Sequence, residues 1–470
     1  MREVQYDIII IGGGPGGYTA AFAAARRGMA AALIEQDRVG GTCLNRGCIP
    51  TKTLLHTAEQ LSAVRSSAAR GILAGAESLR VDMRKLYEEK AEVTAKLSEN
   101  LEKSLKSANV SLLTGHAEIT GPNTVAVKTE GGDMLTLSGK NILLAVGSCP
   151  VRLPIPGADL PGVYTSDEFL DQPPENLRKL VIIGGGVIGA EFAECYRALG
   201  AEVTVLEMMP RILPTLDPDL SKNAGMILKK RGVSVVTGAV VREIRRDGEA
   251  LVCDYEVKGK VLFAEGDAVL LSTGRRPAVD NLFADGYAPV LSRGITVNEH
   301  FETSLSGVFA VGDVTGPGTR GGLKLAHAAA AQAKNAVAFM AGEAEPVNLS
   351  AVPSCVYLDP EIASAGMTEE EAKQAGIAAE SVRGVMHSNA RTLICHAERS
   401  FVKLVFARDT GVILGAHLMC PNASDIISEY TEAIVQKSRV SDLLSVIRPH
   451  PTFEEAGNDA LEAALGKMKH

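Results

Sequence analysis

Twice in this chain an apolar strand runs into a glycine-rich turn, an alanine-rich helix and a second strand that closes on glutamate. The first copy is YDIIIIGGGPGGYTAAFAAARRGMAAALIE, Tyr6 to Glu35, and the second is KLVIIGGGVIGAEFAECYRALGAEVTVLE, Lys179 to Glu207. The glycines fall at Gly12, Gly14 and Gly17 and again at Gly184, Gly186 and Gly189; each glutamate lies 23 positions after the first glycine of its copy. The spacing has a physical reason. The first glycine makes the tight turn, the second lets backbone approach a pyrophosphate, and the third lets helix pack on strand. The helix N-terminus offers unpaired N–H groups and a positive dipole end to the phosphates, and the closing carboxylate accepts hydrogen bonds from ribose hydroxyls. Glycine-rich turns alone would not explain the paired glutamates. The chain therefore reads as α/β with two Rossmann-like dinucleotide-binding domains, and two sites imply two cofactors.

At roughly 100–200 residues per domain, 470 residues imply about three domains. Residues 55–73 and 83–108 have the periodicity of long amphipathic helices, and 111–148 alternate like strands. The proline-rich PVRLPIPGADLPG, from Pro150, reads as a boundary. The second fingerprint region runs to DAVLLSTGRRP; GVFAVGDV (Gly307 to Val314) is expected to be a strand ending on aspartate, followed by a helix. The last 120 residues hold strands such as FVKLVFA and GVILGAHLM, then helices, with no glycine fingerprint. The expected division is 1–149, 150–273, 274–349 and 350–470.

Charge and composition narrow the function. A net charge of −8 and a pI near 5.7 argue against nucleic-acid binding, and no apolar run is long enough to span a membrane. The N-terminus MREVQYDIIII lacks a signal-peptide cleavage site, so a cytoplasmic, reducing location is expected, where disulfides are usually catalytic or redox-sensing. Of eight cysteines, Cys149, Cys195, Cys253, Cys355, Cys395 and Cys420 are scattered, and most of them read as small buried hydrophobes. Cys43 and Cys48 stand apart, five positions from each other in GGTCLNRGCIPTK (Gly40 to Lys52). A structural clip, a metal site and a redox pair are the three readings. Metal is the weakest, because His56 alone does not complete a tetrahedral set, and no metal is assigned.

With the fingerprints and cysteines in place, other ordered motifs follow: DPEIASAGMTEEEAKQAG (Asp359 to Gly376), GAHLMCPNASDIISE (Gly415 to Glu429) and HPTFEE (His450 to Glu455). Over nearly its whole length the chain resembles the flavoprotein disulfide oxidoreductases, and within them the members that oxidise dihydrolipoyl groups. The resemblance implies FAD on the first fingerprint, with Glu35 on the adenosine ribose, Asp313 on the ribityl chain and Lys52 beside the flavin. Gly115 would touch the adenine end, Gly41, Thr42 and Gly147 would complete the site, and Leu325 and Ala326 would start a helix aimed at the flavin. The second fingerprint would hold NAD, with Gly274 in STGRRP at its mouth. Glu191 would belong to that side and matches a family glutamate that pairs with the lysine near the flavin. Residues 1–149 and 274–349 would then form the FAD domain, 150–273 the NAD domain and 350–470 a C-terminal α+β dimerisation domain. Glu207 would repel a 2′-phosphate, favouring NAD over NADP; Arg211, which follows it, reads as a surface charge.

Residues five apart in a helix are separated by about 7.5 Å along its axis, whereas a disulfide needs Cα atoms within about 7 Å. A Cys43–Cys48 bond must therefore start before a regular helix or distort one, and Gly40, Gly41 and Gly47 give that freedom. A strained bond is readily reduced, as a catalytic disulfide should be. The resemblance makes Cys43 the interchange thiol and Cys48 the flavin-facing thiol. It makes His450 the acid/base, oriented by Glu455 and supplied by the other subunit of a homodimer with shared active sites. It implies oxidation of dihydrolipoyl groups through the disulfide and FAD to NAD⁺, the lipoyl arm being carried by lipoyl domains of a 2-oxo acid dehydrogenase or glycine cleavage complex, since no lipoyl-type extension precedes Tyr6. Departures from the family pattern are Arg46 between the cysteines, Arg448 two before the histidine, and Val146 in AVGS. Arg46 is expected either to lower a thiol pKa or to be solvated, and the two arginines open the reading of an anionic thiol substrate. Two alternatives stand beside this one. The first is another NAD(P)H-dependent disulfide reductase, acting on a small disulfide or mercuric ion, although the chain ends LGKMKH without the C-terminal cysteine pair of mercuric reductases. The second is a non-catalytic structural flavoprotein subunit of a multienzyme complex, which would need neither both cysteines nor a His–Glu pair.

Overall fold

The computed structural model describes residues 5–67, 71, 79–174 and 176–468. The tail of the first predicted amphipathic helix, at 68–70, 72 and 73, lies outside them; its described part is the helix Cys48–Ser66. The second amphipathic stretch forms Met83–Ser107, started by the Asp82 side chain accepting from the Lys85 N–H at 3.2 Å.

The first sheet is built around Gln5–Ile11, whose Ile8, Ile9 and Ile10 are fully buried. A continuous apolar run suits a parallel strand covered on both faces. It pairs in parallel with Ala31–Glu35 on one side (Ile8 opposite Ala31) and Met134–Leu144 on the other (Ile8 opposite Asn141). Ser111–Gly121 extends the sheet beyond Ala31–Glu35 and turns back through the antiparallel strand Thr124–Thr129. Val308–Ala310 pairs in parallel with Met134–Leu144, so this lobe is assembled from two stretches separated in sequence. That strand ends earlier than expected: Asp313 lies in a 3₁₀ turn, Gly312–Val314, rather than on a strand end.

The second lobe is a five-stranded parallel sheet in the order Ser234–Thr237, Glu202–Glu207, Lys179–Ile183, Ala268–Leu271, Val163–Thr165. A three-stranded antiparallel sheet, Val240–Asp247, Ala250–Val257 and Lys260–Gly266, is appended to it. The C-terminal region is a five-stranded antiparallel sheet, from Ser354–Val356 through Ile362–Gly366, Ile413–Met419 and Phe401–Ala407 to Ala379–Val385. The helices Ala423–Val435 and Ala456–Met468 pack on it. Among the described residues no helix is long and apolar enough to cross a membrane.

Candidate active site: a cysteine pair between two nucleotide cradles

Both glycine turns have the same local geometry. Gly12 has φ +100° and a Cβ there would lie 2.5 Å from the Ala145 carbonyl oxygen; Gly184 has φ +106° and its Cβ would lie 2.5 Å from that of Ser272. Only glycine fits either place. Gly17 and Gly189 face the turn from inside their helices, where a Cβ would stand 1.8 Å from the Gly12 oxygen and 2.0 Å from the Gly184 oxygen. Gly14 and Gly186 are the helix N-caps, so each helix begins with its N–H groups directed at the turn. The closing glutamates are pinned alike. Glu35 accepts from the N–H groups of Gly13 (2.7 Å) and Asp37 (3.0 Å), and Glu207 from those of Gly185 (2.5 Å) and Met209 (2.7 Å). Each carboxylate keeps lone pairs for a further donor.

The two cradles open into one cavity of about 1920 Å³, about twice the upper range of a single small-molecule pocket. Gly12, Gly14, Glu35, Gly41, Thr42, Cys43, Cys48, Lys52, Gly115, Gly147, Asp313, Leu325 and Ala326 line it, and so do Gly184, Gly186, Glu191, Glu207 and Gly274. Gly17 and Gly189 instead hold helix to turn. Leu325 caps the helix Ala326–Met340, whose N-terminal end faces the cavity. Asp313 accepts a 2.7 Å hydrogen bond from Ser148 Oγ, which accepts from Arg275 Nε at 2.9 Å; Arg275 also pairs with Asp167 at 2.8 Å. This chain of contacts links the two lobes.

The cysteines sit on separate helices. Cys43 is in Gly41–Arg46, Cys48 opens Cys48–Ser66, and the break falls at Gly47, where a Cβ would lie 2.9 Å from the Thr42 oxygen. Gly41 (φ +58°) brings the short helix against the first cradle, its Cβ position being 2.6 Å from Gly14 Cα. Both thiols are free, half-buried and hydrogen-bonded to each other. The Cys48 thiol is brought down to about 7, chiefly by that hydrogen bond from Cys43 and then by the positive charge of Lys52, against the opposing effect of burial. The Cys43 thiol is pushed up because it donates to Cys48 and is itself buried. The hydrogen bond between the thiols and the Lys52 charge thus favour ionisation at Cys48 over Cys43.

Lys52 Nζ lies 2.7 Å from Glu191 Oε2, and the Glu191 side chain is only 4% exposed. The other Glu191 oxygen accepts from the Tyr357 N–H at 3.0 Å, and Lys52 Nζ stands 4.6 Å from the centre of the Tyr357 ring. All three regions meet here: Lys52 from the first lobe, Glu191 from the second cradle's helix and Tyr357 from the C-terminal region. Tyr357 went unnoticed in the sequence, as did the Arg275–Ser148–Asp167 contacts. Nothing local marks them, since each partner is more than a hundred positions away.

His450 and Glu455 are together but apart from the cavity. Nδ1 and Oε1 are 2.9 Å apart, and Glu455 Oε2 accepts from the Thr452 N–H at 2.8 Å. That N–H, then His450, holds the Glu455 carboxyl below its usual range. The His450 side chain is 72% exposed, and neither residue lines the cavity.

One expectation about arginines is narrowed and two are corrected. Arg46 is turned to two carboxylates rather than to a thiol: at a solvated site, 41% exposed, it pairs with Asp37 (2.7 Å) and Asp171 (2.8 Å). Arg448 is buried against Glu429. With both guanidiniums already matched by carboxylates, neither supports an anionic thiol substrate. Arg211 is half-buried and donates to the carbonyls of Pro214 (3.1 Å) and Leu216 (3.4 Å), because the chain after Glu207 curls back over it.

Residues 6–333 match the model of the pyridine nucleotide-disulphide oxidoreductases, and residues 352–461 match the dimerisation domain of the same proteins. The chain belongs to the pyridine nucleotide-disulphide oxidoreductase family. It is 36% identical over 480 aligned positions to a dihydrolipoyl dehydrogenase of Bacillus subtilis, covering 99% of both chains. Among solved structures, LpdA from Mycobacterium tuberculosis matches with a TM-score of 0.87 at 25% identity over 98% of this chain and 99% of that one. The HOCl-induced flavoprotein disulfide reductase RclA from Escherichia coli matches with a TM-score of 0.84 at 30% identity over 97% and 99%, and RclA has also been solved as a Cu(II) complex. The protein is accordingly a flavin disulfide oxidoreductase of a family that uses FAD and NAD, with a C-terminal dimerisation domain. The residues fit those groups: two glycine cradles that a single Cβ would obstruct, each with a pinned acceptor, share one cavity with a thiol pair.

Proposed function

We propose that the protein oxidises dihydrolipoyl groups to lipoyl with NAD⁺ as acceptor, in a homodimer whose active sites are shared between subunits. The observation that carries this reading is the placement of the cysteine pair, two hydrogen-bonded thiols lining one cavity with both cradles, with Lys52 drawing the Cys48 thiol down. In the oxidised enzyme a substrate thiolate attacks Cys43 Sγ. The Cys43–Cys48 bond breaks and its electron pair leaves on Cys48, the sulfur whose low pKa makes it the better leaving group. The second substrate thiol then attacks the sulfur now bound to Cys43. That closes the lipoyl disulfide and returns Cys43 as a thiol. Two substrate protons are lost; Cys43 takes one and His450 of the partner subunit takes the other, its ring held by Glu455.

The first cradle, with Glu35 and Asp313, would hold FAD, and the second, with Glu207, would hold NAD. Bound FAD supplies the two-electron connection between the thiols and the nicotinamide ring. Lys52, anchored by Glu191, keeps a positive charge beside the Cys48 thiolate. The dihydrolipoyl group would arrive on the lipoyl domain of a 2-oxo acid dehydrogenase or glycine cleavage complex.

The likeness to RclA favours a second reading, in which the same thiols reduce another oxidant at the expense of a nicotinamide. One experiment separates them. Purified FAD-loaded protein is mixed anaerobically with dihydrolipoamide and NAD⁺, and separately with NADH or NADPH and glutathione disulfide or Cu(II). Rapid NADH formation in the first mixture, lost in Cys48→Ser with FAD still bound, is expected. No NADH there, with fast turnover in one of the others, would overturn the dihydrolipoyl reading.

A further inference from the structure

We infer that Arg448 is a positioning residue for His450: a buried guanidinium that ties the loop carrying the His–Glu pair to three helices at once. The inference rests on the reading above, in which His450 handles the substrate's protons.

The loop joins the short helix Val440–Leu444 to the helix Ala456–Met468. Within its own chain His450 projects from the surface of this loop, and its side chain is hydrogen-bonded to Glu455, a residue of the same loop. A proton-transfer group in that situation is only as well placed as its loop. Two positions earlier, Arg448 points the opposite way, with its side chain 2% exposed. Nη1 donates to the Leu443 carbonyl at 3.2 Å and to Asn458 Oδ1 at 2.6 Å, and Nη2 donates to Glu429 Oε1. Those acceptors belong to Val440–Leu444, Ala456–Met468 and Ala423–Val435 respectively. Beyond the histidine, Asn389 Nδ2 donates to the Thr452 carbonyl at 2.9 Å. His450 is therefore suspended between two anchors, one on each side.

There is little slack around the Arg448 anchor. A Cβ on Gly457 would meet Tyr430 Oη at 2.2 Å, so the start of the last helix is already seated against the helix that carries Glu429. The planar fork of an arginine reaches several acceptors in fixed directions, whereas a lysine offers one point charge on a flexible stem. The Arg448 side chain is buried behind the loop, 2% exposed, so its effect passes through the loop rather than through contact with substrate.

The test uses the full-length, FAD-loaded dimer with Arg448→Lys, Arg448→Met and Glu429→Gln, and His450→Gln as reference. Two activities are read: NAD⁺ reduction by dihydrolipoamide, which needs His450, and NADH oxidation by ferricyanide, which does not draw on the cysteine pair. Displacing a catalytic group by about an ångström costs on the order of a hundredfold in rate. For Arg448→Lys and Arg448→Met the first activity is expected to fall about ten- to a hundredfold in kcat, with a smaller loss in Glu429→Gln. The KM for NAD⁺ and the ferricyanide rate should hold within about twofold. Should Arg448→Met fail to fold, Arg448→Lys and Glu429→Gln carry the test. A wild-type ratio of the two activities in the Arg448 variants, whether both stay high or both fall together, overturns the inference. If His450→Gln itself keeps the dihydrolipoamide activity, the failure lies in the reading of the reaction. If His450→Gln loses that activity and Arg448→Lys keeps it, only the role of Arg448 falls.

Discussion

The two cradles share a turn, an N-cap and a pinned glutamate, yet their helices do different things. Pro15–Ala25 carries no charged residue and lies against Ala326–Met340, with Gly16 facing Ala329. Val187–Leu199 buries Glu191 and uses it to hold Lys52 and the backbone of Tyr357. The fingerprint thus specifies the turn, the helix start and the pinned carboxylate. What each site contributes beyond that is set by the helix face turned away from the turn. The first cradle is closed off by small side chains, and the second reaches through a carboxylate into the cysteine site.

Matched glycine substitutions should show the largest difference. Gly17→Ala and Gly189→Ala each place a methyl about where the facing carbonyl oxygen lies, 1.8 and 2.0 Å away by the Cβ geometry. If the first cradle holds FAD, as proposed, Gly17→Ala should yield colourless protein, and its thermal midpoint should fall with that loss. Gly189→Ala should stay yellow and show a KM for NAD⁺ raised about tenfold or more. Absorbance of the purified proteins and steady-state kinetics check both. A yellow Gly17→Ala with raised KM for NAD⁺ would reverse the assignment of the two cradles.

A middling effect is expected where the second cradle touches the thiols. Lys52 lowers the Cys48 pKa and Glu191 raises it, so the two variants should move it in opposite directions. The Cys48 thiol, brought down to about 7, should ionise near neutral pH. Lys52→Met should shift that inflection upward, cutting the thiolate fraction at neutral pH. Glu191→Gln should shift it slightly downward. The pH dependence of iodoacetamide labelling of reduced protein, read at the Cys48 peptide, reports both; shifts of the same sign would show that Lys52 and Glu191 do not act on Cys48 as separate charges.

The sequence was most informative where function is carried by local spacing. The cradles, the helix break at Gly47 and the short separation of His450 from Glu455 all lie within about two dozen residues, and their patterns have direct physical meanings. Glu191 was also legible, through the resemblance, as a partner for Lys52. Tyr357, the Ser148–Arg275–Asp167 contacts and the burial of Arg448 were not, because each depends on side chains brought together from distant segments. Asp313 was found by its motif while its backbone was misjudged: an apolar run that reads as one strand stops at Ala310, and Gly312, at φ +75°, turns the chain.

Arg46 offers the smallest predicted effect and the strictest contrast with Lys52. Both are cations on the helices that carry the cysteines, and charge alone would assign both to the thiols. Arg46, however, spends its guanidinium on Asp37, two residues past the first cradle's glutamate, and on Asp171 at the end of the second lobe's helix Ser166–Asp171. All three side chains are more than 40% exposed, so each pair is worth about 0–1 kcal/mol and fades as salt screens it. Arg46→Ala removes both pairs and should therefore lower stability by no more than about 2 kcal/mol in low salt and by less in high salt, as denaturant titration would show. The Cys48 labelling profile should stay where the wild type has it. An upward displacement of that profile by about one pH unit would mean that the cation acts on the thiolate after all, and that the two aspartates hold it in place for that purpose.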